Sequence, residues 1–262
     1  SRGLGDVYKR QLEECSENMK RVSSLDVSMR ILPPNEPGVS DLELTIHSQK
    51  QVQGSLSFDD SGMKETGKDQ FTTSLGFDQV FNANDALYIS NTLDTRRDWS
   101  EKGTRSQSFS YSIPYGKNRL TISHSRNRYN QLVFSKPYDF TSSGTSQTTR
   151  VRLDHLISRS QTERRSMDIT VSKRNSHYFI NDAEIPVQAM DTSALEIGFN
   201  DRIYFGRNTL YLRVAHKQGM GWFGAQKENE YPDAPKTRYQ MWLFDVDWYQ
   251  PFTMGHRPAT FS

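Results

Sequence analysis

Apolar and polar residues alternate along ten successive segments of the chain, beginning near residue 51. In the first segment Val52, Leu56 and Phe58 share one face, and polar side chains lie between them. The same period of two returns in nine further segments, within residues 71–78, 87–94, 108–115, 120–123, 150–157, 166–171, 194–199, 210–214 and 242–248. A period of two is typical of a β-strand whose two faces meet different surroundings. The pattern therefore predicts about ten consecutive β-strands.

The lengths of the strands and of their connections favour a transmembrane barrel. Each predicted strand approaches the ~9–11 residues that a tilted strand needs to cross a bilayer. Residues 82–85 and 115–117 form short turns, whereas residues 98–104, 135–146 and 219–236 form long polar connections. Short turns at one end and long loops at the other are typical of outer-membrane barrels. A soluble β-protein, whose strands usually have ~5–6 residues, stays open as an alternative.

In a barrel, the polar positions of these strands would face a water-filled lumen. We take nine of them as candidates for a substrate path: Ser57, Asp59, Ser112, Arg150, Arg152, Asp154, Glu196, Asp245 and Asp247. A simpler interpretation is that they only solvate the lumen and form cross-strand charge pairs.

The first fifty residues follow a different pattern. Residues 12–22 have the composition of a helix, and residues 26–32 and 41–46 alternate like two short strands. Residues 12–48 are too few to bury a core alone, so we predict that they are the C-terminal part of a small α+β domain, followed by a truncated barrel over residues 50–262. Residues 1–11 contain GLGDVYKRQ, which resembles translated adapter sequence, and we predict that they are an assembly scar.

The composition agrees with a barrel and excludes several other classes. The net charge of +2 gives no reason to expect a nucleic-acid partner. The mean hydropathy of −0.78 would suit a disordered chain, but 14 Phe, 12 Tyr and 4 Trp argue for a folded one. Cys15 is the single cysteine, so no intrachain disulfide forms. Apolar runs of the ~18 residues that a membrane helix needs are absent from the sequence.

The sequence offers little support for an enzyme. The six histidines show no HExxH spacing, and no Gly-x-Ser-x-Gly motif occurs. The glycine-rich segment GMGWFG at residues 219–224 follows a strand and enters a loop, which argues against a phosphate site at a helix N-terminus. We therefore predict no catalytic residue, no cofactor and no metal ligand. An outer-membrane phospholipase or protease is the minor alternative.

Several motifs resemble the two-partner secretion transporters, the hemolysin secretion/activation family of the Omp85 superfamily. The most specific stretch is residues 138–188, with its Ser-Gly-Thr-Ser element, the following Arg-x-Leu strand and the Tyr-x-Ile-Asn-Asp-x-Glu-Ile-x-Val-Gln tail. Residues 112–129 resemble the preceding hairpin, and residues 59–67 resemble the first barrel turn. The resemblance is collinear from about residue 12 onward, so residues 12–48 would belong to the second periplasmic POTRA domain.

The resemblance implies a function in protein secretion. The family's barrel has about sixteen strands, so this chain would be a fragment that ends in the eleventh. A signal peptide and a first POTRA domain would precede it, and further strands and a Val-Arg-Gly-Phe/Tyr loop would follow. The whole protein would lie in the bacterial outer membrane as a monomeric barrel in contact with lipid, with its POTRA domains in the periplasm. It would export a large exoprotein, a hemolysin or adhesin with an N-terminal secretion domain. A barrel-assembly insertase of the same superfamily is the alternative.

Overall fold

β-Strands make up nearly all of the chain that the computed structural model describes, which comprises residues 25–31, 42–48, 52–60, 62, 66–95, 103–227, 236–254 and 257–261. The strands are β1 (Leu25–Ile31), β2 (Leu42–Ser48), β3 (Val52–Asp59), β4 (Gln70–Asp78), β5 (Ala86–Asp94), β6 (Gly103–Tyr115), β7 (Asn118–Val133), β8 (Phe140–Arg159), β9 (Glu163–Ile180), β10 (Ala183–Glu184), β11 (Met190–Phe205), β12 (Asn208–Met220), β13 (Gln240–Met254) and β14 (Arg257–Phe261). A one-turn 3₁₀ helix, Pro186–Gln188, follows β10.

The main sheet is antiparallel, and its strands follow the order of the chain. From β3 to β14 each strand pairs with the next, except that β11 pairs with β9 and the two-residue β10 pairs with the end of β9. Each of the ten alternating segments lies in its own strand, and β14 is the predicted eleventh. Within the described residues β3 and β14 stay at the two edges, so the sheet is a partial, unclosed barrel.

Several strands are longer than the sequence pattern predicted. β7 and β11 have 16 residues, β9 has 18 and β8 has 20. The predicted long loop over residues 135–146 is wrong in its second half, because β8 begins at Phe140 and pairs with β7 and β9 from there on. Residues 140–146 are polar on both faces, apart from Phe140 and Gly144, and therefore lack the alternation that marks a half-apolar strand.

Three of the connections at one end of the sheet are tight turns, as the sequence predicted. Residues 116–117, 160–162 and 206–207 form short turns at one end of the sheet, and Gly116 and Gly206 supply the positive φ angles of 54° and 62° that such hairpin turns need. The β4–β5 connection at this end, residues 79–85, is organised by Asp85. At the other end the connections between main-sheet strands have six residues or more, from residues 134–139 to residues 221–239. We call the two ends the short-turn end and the long-loop end.

Asp85 is a fully buried carboxylate that fixes the β4–β5 turn. It accepts hydrogen bonds from the backbone N–H groups of Phe81 and Ala83 and from the Tyr111 hydroxyl at 3.0 Å. Burial opposes ionisation of this carboxyl group, but the three donors outweigh that effect and lower the pKa of Asp85 below its usual value. Asp85 therefore stays ionised and holds β5 and β6 together at the short-turn end.

The burial of the main sheet is the reverse of that in a soluble protein. On the apolar face Phe58 and Phe244 are 67% and 69% exposed. Among the side chains that the structure describes, Ala194 and Ala215 are the only buried apolar ones, and both lie on the polar face. Apart from glycines, the other buried strand residues of that face are polar: Ser74, Asp94, Asp168, Thr170, Ser176 and Asn200. The crowded face is therefore the polar one, as expected inside a curved barrel wall.

The apolar face forms an oblique band across the strands, as it does in a tilted barrel. Ser55 lies at the centre of the apolar stretch of β3. When the paired residues are followed strand by strand from β3 to β11, Ser55 is in register with Thr192. Asp245, at the centre of that stretch on β13, is in register with Asn200 on β11. The band thus shifts by about one residue per strand, which at ~3.3 Å per residue and ~4.8 Å between strands gives a tilt of about 30°, near the ~35–45° of outer-membrane barrels.

The two N-terminal strands form a separate antiparallel pair, with Leu25 opposite Ser48 and Ile31 opposite Leu42. They coincide with the two short strands predicted from the sequence. The predicted helix over residues 12–22 and the predicted scar over residues 1–11 lie outside the described residues, so the assignment of residues 12–48 to a domain of their own stays a prediction. No helix in the described part of the chain is long and apolar enough to span a membrane.

Candidate functional site on the polar face

The nine predicted path residues all lie on the polar face, as the strand register shows. Ser57 is opposite Thr72, Ser112 is opposite Thr121, and Arg152 is opposite Thr170. The remaining six occupy the same face of β3, β8, β11 and β13: Asp59, Arg150, Asp154, Glu196, Asp245 and Asp247. The structure brings four of the nine into one network of ion pairs, and the centre of that network is a residue that is not among them.

That central residue is Asp168 on β9, whose side chain is 0% exposed. Its Oδ1 accepts a hydrogen bond from Asn200 Nδ2 at 2.8 Å and lies 3.1 Å from Arg152 Nη2. Its Oδ2 accepts a hydrogen bond from Arg213 Nη2 at 3.2 Å. A buried carboxylate is stable only when charges and donors compensate for its lost hydration. Two arginines and an amide, from three other strands, provide that compensation.

The network continues from Asp168 towards both neighbouring parts of the sheet. On one side Arg213 pairs with Glu196 at 2.7 Å and approaches Asp245 at 3.8 Å. Lys217 also lies 3.9 Å from Glu196 on this side. On the other side, Arg152 lies 2.9 Å from Asp154, and Arg119 lies 3.2 Å from Asp154. We call these eight residues the charge ladder: Arg119, Arg152, Asp154, Asp168, Glu196, Arg213, Lys217 and Asp245. Four basic and four acidic side chains make up the ladder, so their formal charges sum to zero.

Gly198 makes the centre of the ladder sterically feasible. It lies on the polar face directly opposite Asp168 on the neighbouring strand. A Cβ atom at this position would lie 2.8 Å from Asp168 Oδ1 and 2.9 Å from Arg213 Nη2. The absent side chain therefore leaves the space in which the guanidinium of Arg213 meets the carboxylate of Asp168.

A cationic pocket adjoins the ladder near the short-turn end. Arg119, Arg152, Arg164 and Arg202 line it, and Asp154 is its one acidic residue. Arg164 and Arg202 are directly opposite each other on β9 and β11, and Arg202 lies over the ring of Tyr211 at 5.5 Å from its centroid. Unlike the ladder, this pocket carries an excess of positive charge.

The sequence pattern alone missed the residues at the centre of the site. Asp168 and Arg213 occupy polar positions of predicted strands, and Asn200 directly follows another predicted segment. A period of two, however, indicates only the face of the sheet on which a residue lies. Gly198 was the available signal, because a glycine among larger polar residues often marks a close approach. Arg150 and Asp247, which were predicted, make no side-chain hydrogen bond or ion pair within the described residues. In that part of the chain no group of three or more His, Cys, Asp or Glu residues is arranged to hold a metal ion.

The family follows from comparison with known proteins. The sequence model of one protein family, the haemolysin secretion/activation proteins ShlB/FhaC/HecB, matches residues 38–262. The chain belongs to this family. Membership agrees with the resemblance in residues 138–188, where the Asn181-Asp182 turn of the motif has the positive φ angles of a tight hairpin and joins β9 to β10.

Named relatives agree with this family. The chain is 33% identical over 256 residues to the outer membrane transporter CdiB-2 of Burkholderia pseudomallei, covering 97% of this chain and 44% of the relative. It is 28% identical to the outer membrane transporter CdiB of Dickeya dadantii, covering 93% and 44%, and 21% identical to the hemolysin transporter protein HpmB of Proteus mirabilis, covering 96% and 45%. The chain thus spans less than half the length of these relatives.

Two solved structures share the fold. CdiB from Escherichia coli matches with a TM-score of 0.86 at 24% identity and covers 93% of this chain and 46% of that structure. CdiB from Acinetobacter baumannii matches with a TM-score of 0.73 at 29% identity, covering 93% and 44%. The partial, tilted β-sheet is therefore the arrangement found in these proteins.

Proposed function

We propose that the protein to which this chain belongs secretes a partner protein across the bacterial outer membrane. The observation that carries the proposal is the inverted main sheet, with a tilted apolar band outside and a crowded polar face inside, in a member of a secretion family. Outward Phe and Trp side chains would cost roughly 1.5–3 kcal/mol each if left in water rather than in lipid. Named relatives are outer membrane transporters and a hemolysin transporter.

The polar face would act as the wall along which an unfolded partner moves. In this proposal the nine predicted residues and the charge ladder present a hydrated surface that binds the partner only weakly, because the charges of the ladder are already compensated within the wall. The cationic pocket lies at the short-turn end, which faces the periplasm in outer-membrane barrels. Within the barrel, it would make the first contact with carboxylates of the entering chain.

The remaining parts of the proposal follow the family. Residues 12–48 would belong to a periplasmic POTRA domain that captures the secretion domain of the partner by strand addition. The whole barrel would be monomeric. It would perform no covalent chemistry, which agrees with the pairing of the acidic ladder residues with arginine or lysine rather than with a substrate.

The test is an export assay with the full-length transporter and its partner exoprotein in the same cell. We expect the exoprotein in the medium, and at least fivefold less of it with the Arg164→Gln/Arg202→Gln variant. Arg165→Gln is the matched control, because Arg165 is the next residue along β9 and faces outward. Equal amounts of folded transporter would be verified by its heat-dependent mobility in electrophoresis.

The alternative functions predict other results. If the exoprotein stays in the cell while unrelated outer-membrane proteins fail to assemble in a deletion strain, the protein is an insertase. If Arg164→Gln/Arg202→Gln exports as much as the wild type, the cationic pocket is not part of the path, although the transporter function would stand.

A further inference from the structure

Three arginines lie close together on the outward, lipid-facing side of the main sheet. Arg105 on β6 is directly opposite Arg128 on β7. Arg126 lies two residues before Arg128, on the same face of β7. All three side chains are exposed. Like charges directly opposite each other on neighbouring strands destabilise a sheet. Their arrangement therefore requires a counter-charge.

The described part of the chain supplies no such counter-charge. Arg105, Arg126 and Arg128 make no side-chain hydrogen bond or ion pair with any residue that the structure describes. The short-turn end of the same outward surface differs, because Arg165 there pairs with both Glu163 and Asp201. Among the described residues, Arg165 therefore has acidic partners at the short-turn end of the apolar band, whereas the three arginines at the other end have none.

The height of the three arginines points to the lipid headgroups. Arg105 lies four residues beyond Phe109, the last outward apolar residue of β6, and Arg126 lies four residues beyond Ile122 on β7. At ~3.3 Å per residue on a strand tilted by about 30°, this places their Cα atoms about 11 Å past those apolar residues. Long arginine side chains then bring their guanidinium groups into the headgroup layer.

We propose that Arg105, Arg126 and Arg128 form a phosphate-binding patch for lipid A, the glycolipid of the outer leaflet. The proposal rests on the proposed outer-membrane location. Long loops of such barrels face the cell exterior, and these arginines lie at the long-loop end. Guanidinium groups bind phosphate oxygens in pairs of parallel hydrogen bonds. Three guanidinium groups on neighbouring strands supply positive charge for the two phosphates of one lipid A molecule.

The test uses the purified, delipidated full-length transporter in detergent micelles, titrated with lipid A while bound lipid is counted by native mass spectrometry. We expect the wild type to bind bisphosphorylated lipid A at least fivefold more tightly than the same lipid after removal of both phosphates. The variant Arg105→Gln/Arg126→Gln/Arg128→Gln should lose this preference. The triple lysine variant keeps the charge but not the paired hydrogen bonds, so it should retain only part of the preference. Arg165→Gln should retain all of it.

Equal binding of the two lipids by the wild type would overturn the proposal without recourse to any variant. A preserved preference in the triple glutamine variant, or its loss in Arg165→Gln, would also overturn it. Failure of the proposed function can be distinguished from failure of the lipid proposal. Export is measured in cells that contain the partner protein, whereas lipid preference is measured on the purified transporter without cells or partner. Cell fractionation that places the transporter outside the outer membrane would overturn both.

Discussion

The two halves of the polar face form the same wall with different chemistry. On β3–β7 a straight row of hydroxyls crosses the strands in register: Ser55, Ser74, Ser90, Ser108 and Ser125. We call it the serine row; Ser74 and Ser90 share a hydrogen bond of 3.3 Å. On β7–β13 the charge ladder occupies the corresponding face. Serines can be hydrated one at a time, whereas the ladder residues are stable only together, because each buried charge depends on its neighbours.

Loss of the Asp168 carboxylate should lower the unfolding free energy the most, and it should distinguish the two halves of the polar face most clearly. Asp168→Ala leaves Arg152 and Arg213 without their buried partner, which costs about 3–5 kcal/mol of unfolding free energy. Ser90→Ala in the serine row should change it by less than about 0.5 kcal/mol. Urea unfolding of the full-length transporter in detergent measures both. Similar losses for the two variants would mean that the ladder is not a cooperative unit.

Filling the space at Gly198 should have the next largest effect. Gly198→Ala forces the carboxylate of Asp168 and the guanidinium of Arg213 apart, and overpacking of this kind costs about 1–3 kcal/mol. The matched control is Gly76→Ala on β4, where the nearest atom to a new Cβ is the Gln53 carbonyl oxygen at 3.9 Å. That change should be neutral or slightly stabilising, because alanine suits a strand interior better than glycine does. Unfolding midpoints in urea distinguish the two.

The half with the serine row is held at its short-turn end by Asp85, and this should give it a distinct pH dependence. The folded-state pKa of Asp85 lies below its unfolded value of 3.8, so its contribution is complete above that value and is lost as the pH falls through the folded-state pKa. Asp85→Asn should cost about 2 kcal/mol at pH 7, as expected for hydrogen bonds to a charged group. The difference between wild type and variant should vanish in the most acidic samples of a thermal unfolding series. A constant difference across the series would contradict the ionised form as its cause.

Removal of a charge outside the ladder should have the smallest effect. Arg150 lies on the polar face of β8, next to the ladder, without a described partner. Arg150→Gln should change the unfolding free energy by less than about 0.5 kcal/mol and export by less than twofold. A large loss of export with unchanged stability would instead place Arg150 in direct contact with the moving partner.

Much of the fold could be predicted from the sequence because alternation is local. Val52, Leu56 and Phe58 define the outward face of β3 without any knowledge of the other strands, and the same is true of the nine segments that follow. The first part of β8 could not be predicted, because residues 140–146 are polar on both faces and only their pairing with β7 and β9 reveals a strand. The pattern is weak wherever a strand has water on both sides.

The sequence by itself determined the strands, their two faces and the face on which each candidate residue lies, since all three depend on period two within one segment. Only the tertiary structure decided which charges meet. Asp168 on β9 and Arg213 on β12 are separated by β11, and their side chains meet over Gly198 of that strand. Their contact therefore depends on the register of all three strands. The outward arginines follow the same rule: Arg105 and Arg128 are 23 positions apart in the sequence, and the pairing of β6 with β7 makes them direct neighbours.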